Sequence, residues 1–252
     1  MVGRTLSPLV RARPGVIDRG APLRLQVKGG QLRSVGVRAL LSGANLLAIG
    51  DGSPQGWELM QFARAQPLGG DIWEISERLR GQAGTDGVMP REWPEGSLVV
   101  LMDGAARQVA MPPSARGQER HWRIGPARRA PDDASHVSLT TTAQGIGLRP
   151  YAPCHLRIDG RRIGWIRRTR IDGDDWSGRD VPLGESEEVY LLRLRRGHEL
   201  LHQCELTVPG YEVPERIWLA AKAGGAFTVE VAQMSARFGA GPFVRRNVDG
   251  SE

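Results

Sequence analysis

The sequence predicts a mainly β protein built as two domains, an irregular β domain followed by a β-sandwich. One observation behind this is punctuation: 33 Gly and 17 Pro among 252 residues favour short strands joined by turns over long helices. Another is period, because apolar and polar residues alternate over short runs such as Leu23-Arg-Leu-Gln-Val27, the pattern of a strand with one buried face. Length is the third. A chain that is 40% apolar and 25% charged has an ordinary globular composition and is long enough for one large or two modest cores. Intrinsic disorder is excluded, and no apolar run approaches the ~18–20 residues of a membrane-spanning helix.

Residues 1–22 read as a basic extended arm. They hold Arg4, Arg11, Arg13 and Arg19 against Asp18 alone, with Pro8, Pro14 and Pro22 as breaks, and they lack the apolar core of a signal peptide. The arm leads straight into strand-like residues, as a beginning in mid-structure would. From 23 to 148 the chain reads as a β-rich domain. Leu23, Leu25 and Val27 alternate, Trp57 to Phe62 alternate, and Leu98 to Met102 is a short apolar run expected to be buried. Turns are expected at Lys28-Gly-Gly30, Gly50 to Pro54, Leu68 to Asp71 and Asp103-Gly104. Asp71 to Arg80 reads as a strand running into a turn, and 112–136, with four prolines and five arginines, as a long surface connection.

Gln144-Gly-Ile-Gly-Leu-Arg-Pro150 is a hinge sequence, and strand signals resume beyond it at sandwich spacing. Strands are expected around Trp165, Tyr190, Leu200 to Val208, Tyr211 to Val213 and Phe227 to Met234, with Trp165 in the core. The closing run Phe227 to Pro242, with Val229, Val231 and Gln233 alternating before a Gly-rich turn, resembles the last two strands of a fibronectin type III domain. The second domain is therefore expected as a fibronectin type III-like β-sandwich over 151–244, followed by a tail at 245–252.

Charge and chemistry narrow the function classes. The bases are 32 Arg with only Lys28 and Lys222, for a net charge of +6. The excess is local: residues 1–40 carry +7, and 151–252 balance at 15 bases and 15 acids. A dispersed nucleic-acid-binding face is not implied. Cys154 and Cys204 are too few for a disulfide framework and are expected as buried free thiols. Arg80-Gly-Gln-Ala-Gly-Thr-Asp86 suits a tight turn, since Gly81 and Gly84 accept positive φ; no helix with P-loop spacing follows. Trp57, Trp73, Trp93 and Trp122 are expected in the core rather than on a sugar-binding platform.

One motif opposes a purely structural role. His198-Glu-Leu-Leu-His202 is a literal H-E-x-x-H, which on a helix would put two imidazoles on one face for Zn²⁺ with Glu199 as base. Its flanks alternate, however, and Arg195-Arg-Gly197 reads as a hairpin turn, so 188–207 is expected as two antiparallel strands. On a strand the two His lie ~13 Å apart.

Leu79-Arg-Gly-Gln-Ala-Gly-Thr85, Gly56-Trp-Glu-Leu-Met-Gln-Phe62, Leu148 to Leu156, Trp165 to Trp176 and Val181-Pro-Leu-Gly184 occur in an order that resembles the C-terminal region of the baseplate megatron, the host-specificity tail-tip protein of gene transfer agents and related siphophages. The similarity spans about residues 5–245. It implies a virion component made in the cytoplasm and assembled at the tip of a phage-like tail, with a role in tail assembly and host attachment. It also implies a homotrimer around the tail axis that meets hub or baseplate proteins, a tail fibre and a host-cell receptor. The family's large N-terminal portion has no counterpart in these residues. No residue is assigned a catalytic, cofactor-binding or metal-ligating role, and no cofactor, nucleic acid or transmembrane segment is expected. The alternatives are a zinc-dependent peptidase centred on His198, Glu199 and His202, and a glycan-binding adhesin.

Overall fold

In the computed structural model, which describes all residues except 105, 107, 174–179 and 251–252, the chain divides into two units, Met1–Gly145 and Ile146–Glu252. The first contains β1 (Val2–Thr5), β2 (Leu9–Val10), β3 (Ile17–Asp18), β4 (Leu23–Lys28), the short helix α1 (Val37–Leu41) and β5 (Leu46–Gly50). It continues with β6 (Trp57–Gly69), β7 (Ile72–Gln82), β8 (Glu92–Trp93), β9 (Leu98–Leu101), β10 (Glu119–Ile124) and β11 (Val137–Thr142). Strands β4, β1, β9, β5, β6 and β7 pair in that order, each antiparallel to the next, and β7 returns to β4. The result is a closed six-stranded barrel, which leaves none of the six as an open edge.

Alternation fills its interior. In β4 every second residue, Leu23, Leu25 and Val27, is buried, and these pack with Leu47, Ile49, Met60, Phe62, Ile75 and Val99 from four other strands. Each such side chain contributes roughly 1.5–3 kcal/mol on burial. The helix α1 closes a smaller cluster, where Leu40 meets Ala63 and Leu79. Buried Gln61 donates its amide to the carbonyls of Leu40 (2.7 Å) and Ala44 (2.8 Å), which ties β6 to the last turn of α1 and the residues just after it.

Three expectations change here. Residues 1–22, read as a basic extended arm, are extended but integral to the first domain: β1 is a barrel stave between β4 and β9, β2 pairs β8, and β3 pairs β7. The barrel could not close without β1, and Leu9 belongs to its core. The second change is in β7, which runs unbroken to Gln82 rather than turning near Arg80. Glu77 lies at φ +54°, between the segment paired with β4 and the segment paired with β3. This left-handed kink shifts the alternation, so Ile75 is buried before it and Arg78 and Arg80 after it. The third is the expected connection at 112–136, which contains β10, paired over its whole length with β11. Of the run at 98–102, only Val99 is fully buried.

The second unit contains β12 (Cys154–Asp159), β13 (Arg162–Ile166), β14 (Tyr190–Arg196), β15 (Glu199–Leu206), β16 (Gly210–Glu212), helix α2 (Glu215–Ala223), β17 (Phe227–Ser235), β18 (Gly239–Ala240) and β19 (Val244–Val248). One sheet is β12-β13-β16; the other is β15-β14-β17 with β18 and β19 along the far side of β17. Leu156, Ile163 and Trp165 of the first sheet share one core with Tyr190, Leu192, Leu194, Val229 and Val231 of the second, so the two sheets form a sandwich. Trp165 is 5% exposed and meets Tyr190 edge-on at 5.1 Å. Trp218 of α2 packs edge-on against Phe227 at 5.3 Å. Cys154 and Cys204 are free thiols but half-buried rather than buried, since both lie on strands at the sides of their sheets. Asp174, Asp175 and Trp176, at the end of one family-like segment, lie outside the described residues.

Candidate functional site

The segment Arg80 to Asp86 leads from the buried end of β7 into a 3₁₀ turn at Thr85–Gly87. Both Arg78 and Arg80 are almost fully buried, as is Glu58 of β6. Glu58 accepts Arg80 Nε at 2.7 Å and Nη2 at 2.8 Å, and also the indole Nε1–H of Trp93 at 2.7 Å and the Gly81 N–H at 3.0 Å. That is a bidentate, charge-assisted pair with its remaining acceptor sites filled. Arg80 Nη1 donates to the carbonyl of Val10 at 2.9 Å. Beside it, Arg78 donates Nε and Nη2 to Asp18 at 3.0 and 2.9 Å, and Nη1 to the carbonyl of Ala21 at 2.9 Å.

The cluster is a structural pin. Its donors all find partners in the chain, and four of those partners, Val10, Asp18, Gly20 and Ala21, belong to residues 1–22. Gly81 is required for it: at φ +62°, a Cβ there would lie 2.7–2.8 Å from Cβ and Cα of Asp86, while its N–H is held by Glu58. Thr85 ties the turn back by accepting the Leu59 N–H at 2.9 Å and donating to the carbonyl of Gln82 at 2.7 Å. Asp18, Glu58, Arg78 and Trp93 were not singled out from the sequence as a group. The available signal was two arginines flanking Leu79 on alternate positions of a strand, with a glutamate inside Trp-Glu-Leu-Met-Gln-Phe.

The H-E-x-x-H residues take a different place. Gly197, at φ +56°, turns β14 into β15; His198 is in that turn, and Glu199 and His202 lie on the strand. The two imidazoles therefore do not share a helix face, and among the described residues no group of three or more His, Cys, Asp and Glu converges as a metal site. His202 instead stacks on Tyr211 at 6.1 Å, with its Nε2 3.3 Å from the Tyr211 hydroxyl. Burial pushes the His202 pKa below the ordinary histidine value and raises those of Cys204 and Tyr211.

The four tryptophans do not form a platform. Trp93 is in the barrel core and Trp73 packs against it. Trp57 lies over Gly50, where an added Cβ would be 2.5 Å from its ring, and Trp122 is on the β10–β11 hairpin, its Nε1 donating to Thr141 Oγ1 at 2.8 Å. A shallow groove runs between Ser53 to Gln55 and the foot of that hairpin at Glu119 and Thr140 to Thr142. It is lined by hydroxyl, amide and carboxylate groups, and no aromatic ring lines it.

Fold and site together define a two-unit β protein whose most elaborate buried chemistry holds its own N-terminal residues in place. Residues 1–100 match the model of the family described as Rcc01698-like, C-terminal. The matched stretch ends inside β9, the last barrel strand in the sequence, so it coincides with the barrel. No curated protein matches the chain.

Proposed function

We propose that the chain is a structural component of a phage-like tail tip or baseplate, of the gene transfer agent type, and that its barrel corresponds to the C-terminal region of a baseplate megatron. The observation that carries this is the family match over residues 1–100, which includes the Leu79 to Thr85 segment on which the resemblance rests. The site supports a non-enzymatic role, because Glu58, Arg78 and Arg80 are spent on internal partners and are closed to solvent. The sandwich supports it as well. Its strands pair first-second-fifth in one sheet and fourth-third-sixth in the other, consistent with a fibronectin type III-like module of the kind that surface assemblies use for contact. In this reading the protein is made in the cytoplasm and assembled into the particle. There it forms a homotrimer with hub or baseplate neighbours and a tail fibre, and serves attachment to a host-cell receptor.

The test is to tag the chain in its native host, purify phage-like particles and image them with a label against the tag. Label at the tail tip is the expected result; absence from particles refutes the proposal. Zinc analysis addresses the peptidase alternative: stoichiometric zinc lost in His202→Ala, with peptidase activity lost in Glu199→Gln, would replace this reading. Saturable binding to a glycan array by a protein absent from particles would favour an adhesin.

A further inference from the structure

Strands β10 and β11 form a two-stranded sheet with no third strand among the described residues, and their residues are exposed or half-buried throughout. A hairpin of this kind is marginal in water by itself. Its two faces are unequal. Side chains alternate along a strand, so the register puts Arg120, Trp122 and Ile124 on one face with their partners Thr141, Leu139 and Val137. The other face carries Glu119, His121 and Arg123 with Thr142, Thr140 and Ser138. This second face is internally satisfied: His121 Nδ1 lies 3.1 Å from Thr140 Oγ1, and Arg123 donates to Ser138 Oγ at 3.1 Å and to the carbonyl of Pro131. On the first face Ile124, Val137 and Leu139 are 57%, 66% and 39% exposed, and with Trp122 they make a continuous apolar patch left open among the described residues.

The hairpin carries a small positive excess, Arg120, Arg123, Arg128 and Arg129 against Glu119, Asp132 and Asp133. On the apolar face and at the loop, Arg120 and Arg128 have no acidic partner among the described residues, whereas Asp133 is paired with Arg129 at 3.3 Å and Glu119 lies 3.4 Å from His121.

We propose that this hairpin docks on an anionic lipid surface, with the Trp122, Ile124, Val137 and Leu139 face entering the headgroup layer and Arg120 and Arg128 meeting lipid phosphate. Area decides between lipid and protein as the occupant. The exposed apolar part of the patch is on the order of 300 Å², well below the ~800 Å² per partner that a specific protein interface buries. A lipid surface needs only shallow apolar insertion together with positive charge. The residue types fit that depth, since tryptophan favours the interface and arginine extends its apolar stem while keeping its head in water. Insertion stays shallow because the open strand edges need water for their unpaired N–H and C=O groups. The inference does not rest on the tail-tip reading.

Flotation of the full chain with vesicles at ~0.1 M salt tests it, using phosphatidylcholine alone or mixed equally with phosphatidylglycerol. Wild type is expected to float with the mixed vesicles at least ~10-fold better than with phosphatidylcholine, and I124S/V137S and R120Q/R128Q are each expected to lose about tenfold. The altered side chains are exposed, so the melting curve of each variant should match wild type. A second readout does not depend on those variants: the blue shift of tryptophan emission on mixing with anionic vesicles should vanish in Trp122→Phe. Failure of wild type to float, or flotation undiminished in I124S/V137S, overturns the proposal. So does self-association in sedimentation that I124S/V137S abolishes while no vesicle is bound, which would identify a second copy as the occupant.

Discussion

Replacing Arg80 with methionine removes one partner from a buried pair while keeping most of the volume. Glu58 would retain the Trp93 and Gly81 N–H groups but lose both guanidinium bonds at 2.7 and 2.8 Å, in a position with no solvent access. Stranding a buried charge in this way costs about 3–5 kcal/mol, a large part of the roughly 5–15 kcal/mol that holds a domain folded. For a unit of this size that lowers the melting temperature by about 10–15 °C. The companion variant Glu58→Leu and the double variant complete a cycle, because removing both partners leaves no orphaned charge and should recover at least half of the loss. Calorimetry on the three variants measures the coupling. Arg80 also holds the Val10 carbonyl, so Arg80→Met should expose the Arg11–Ala12 peptide bond to trypsin before the rest of the barrel. A loss below ~1 kcal/mol in Arg80→Met, or a double variant as unstable as the sum of the singles, would refute the argument that the pair is closed, coupled and structural.

Trp165→Ala should cost the sandwich about 3–5 kcal/mol by emptying its centre, visible as loss of the second unit's melting transition while the first unit's remains. Gly81→Ala should destabilise the barrel by more than ~1 kcal/mol, because it meets the Asp86 backbone at a positive φ; a chemical denaturation midpoint unchanged from wild type would count against the pin. His202 provides a pH test. Its pKa is lowered in the folded state by burial, so as pH falls through the ordinary histidine value the unfolded chain takes up the proton first and stability declines. The sandwich should therefore melt at lower temperature at pH 5 than at pH 7, and His202→Gln should flatten that part of the profile; an identical slope in the variant would refute the assignment.

Much of the strand content was legible because it is locally encoded. Leu23, Leu25 and Val27 alternate in the sequence and are buried together, and Trp165 lies in the sandwich core as its flanks imply. The hairpin turn at Gly197 was equally readable, and it decided the fate of His198 and His202. A period of two states which face of a strand meets a core; it does not state which strand lies alongside. That is where the sequence stopped. Val2 pairs with both Lys28 and Val100, a juxtaposition that exists only once the barrel closes, so residues 1–22 read locally as a basic arm yet fold as a stave and two short flanking strands. The kink at Glu77 likewise has no local signature, because glutamate does not favour positive φ. It persists because closure places β4 before it and β3 after it. Tertiary structure alone could then turn Arg78 and Arg80 inward, where Asp18 and Glu58, 60 and 22 residues away in sequence, offset the cost of burying their charge.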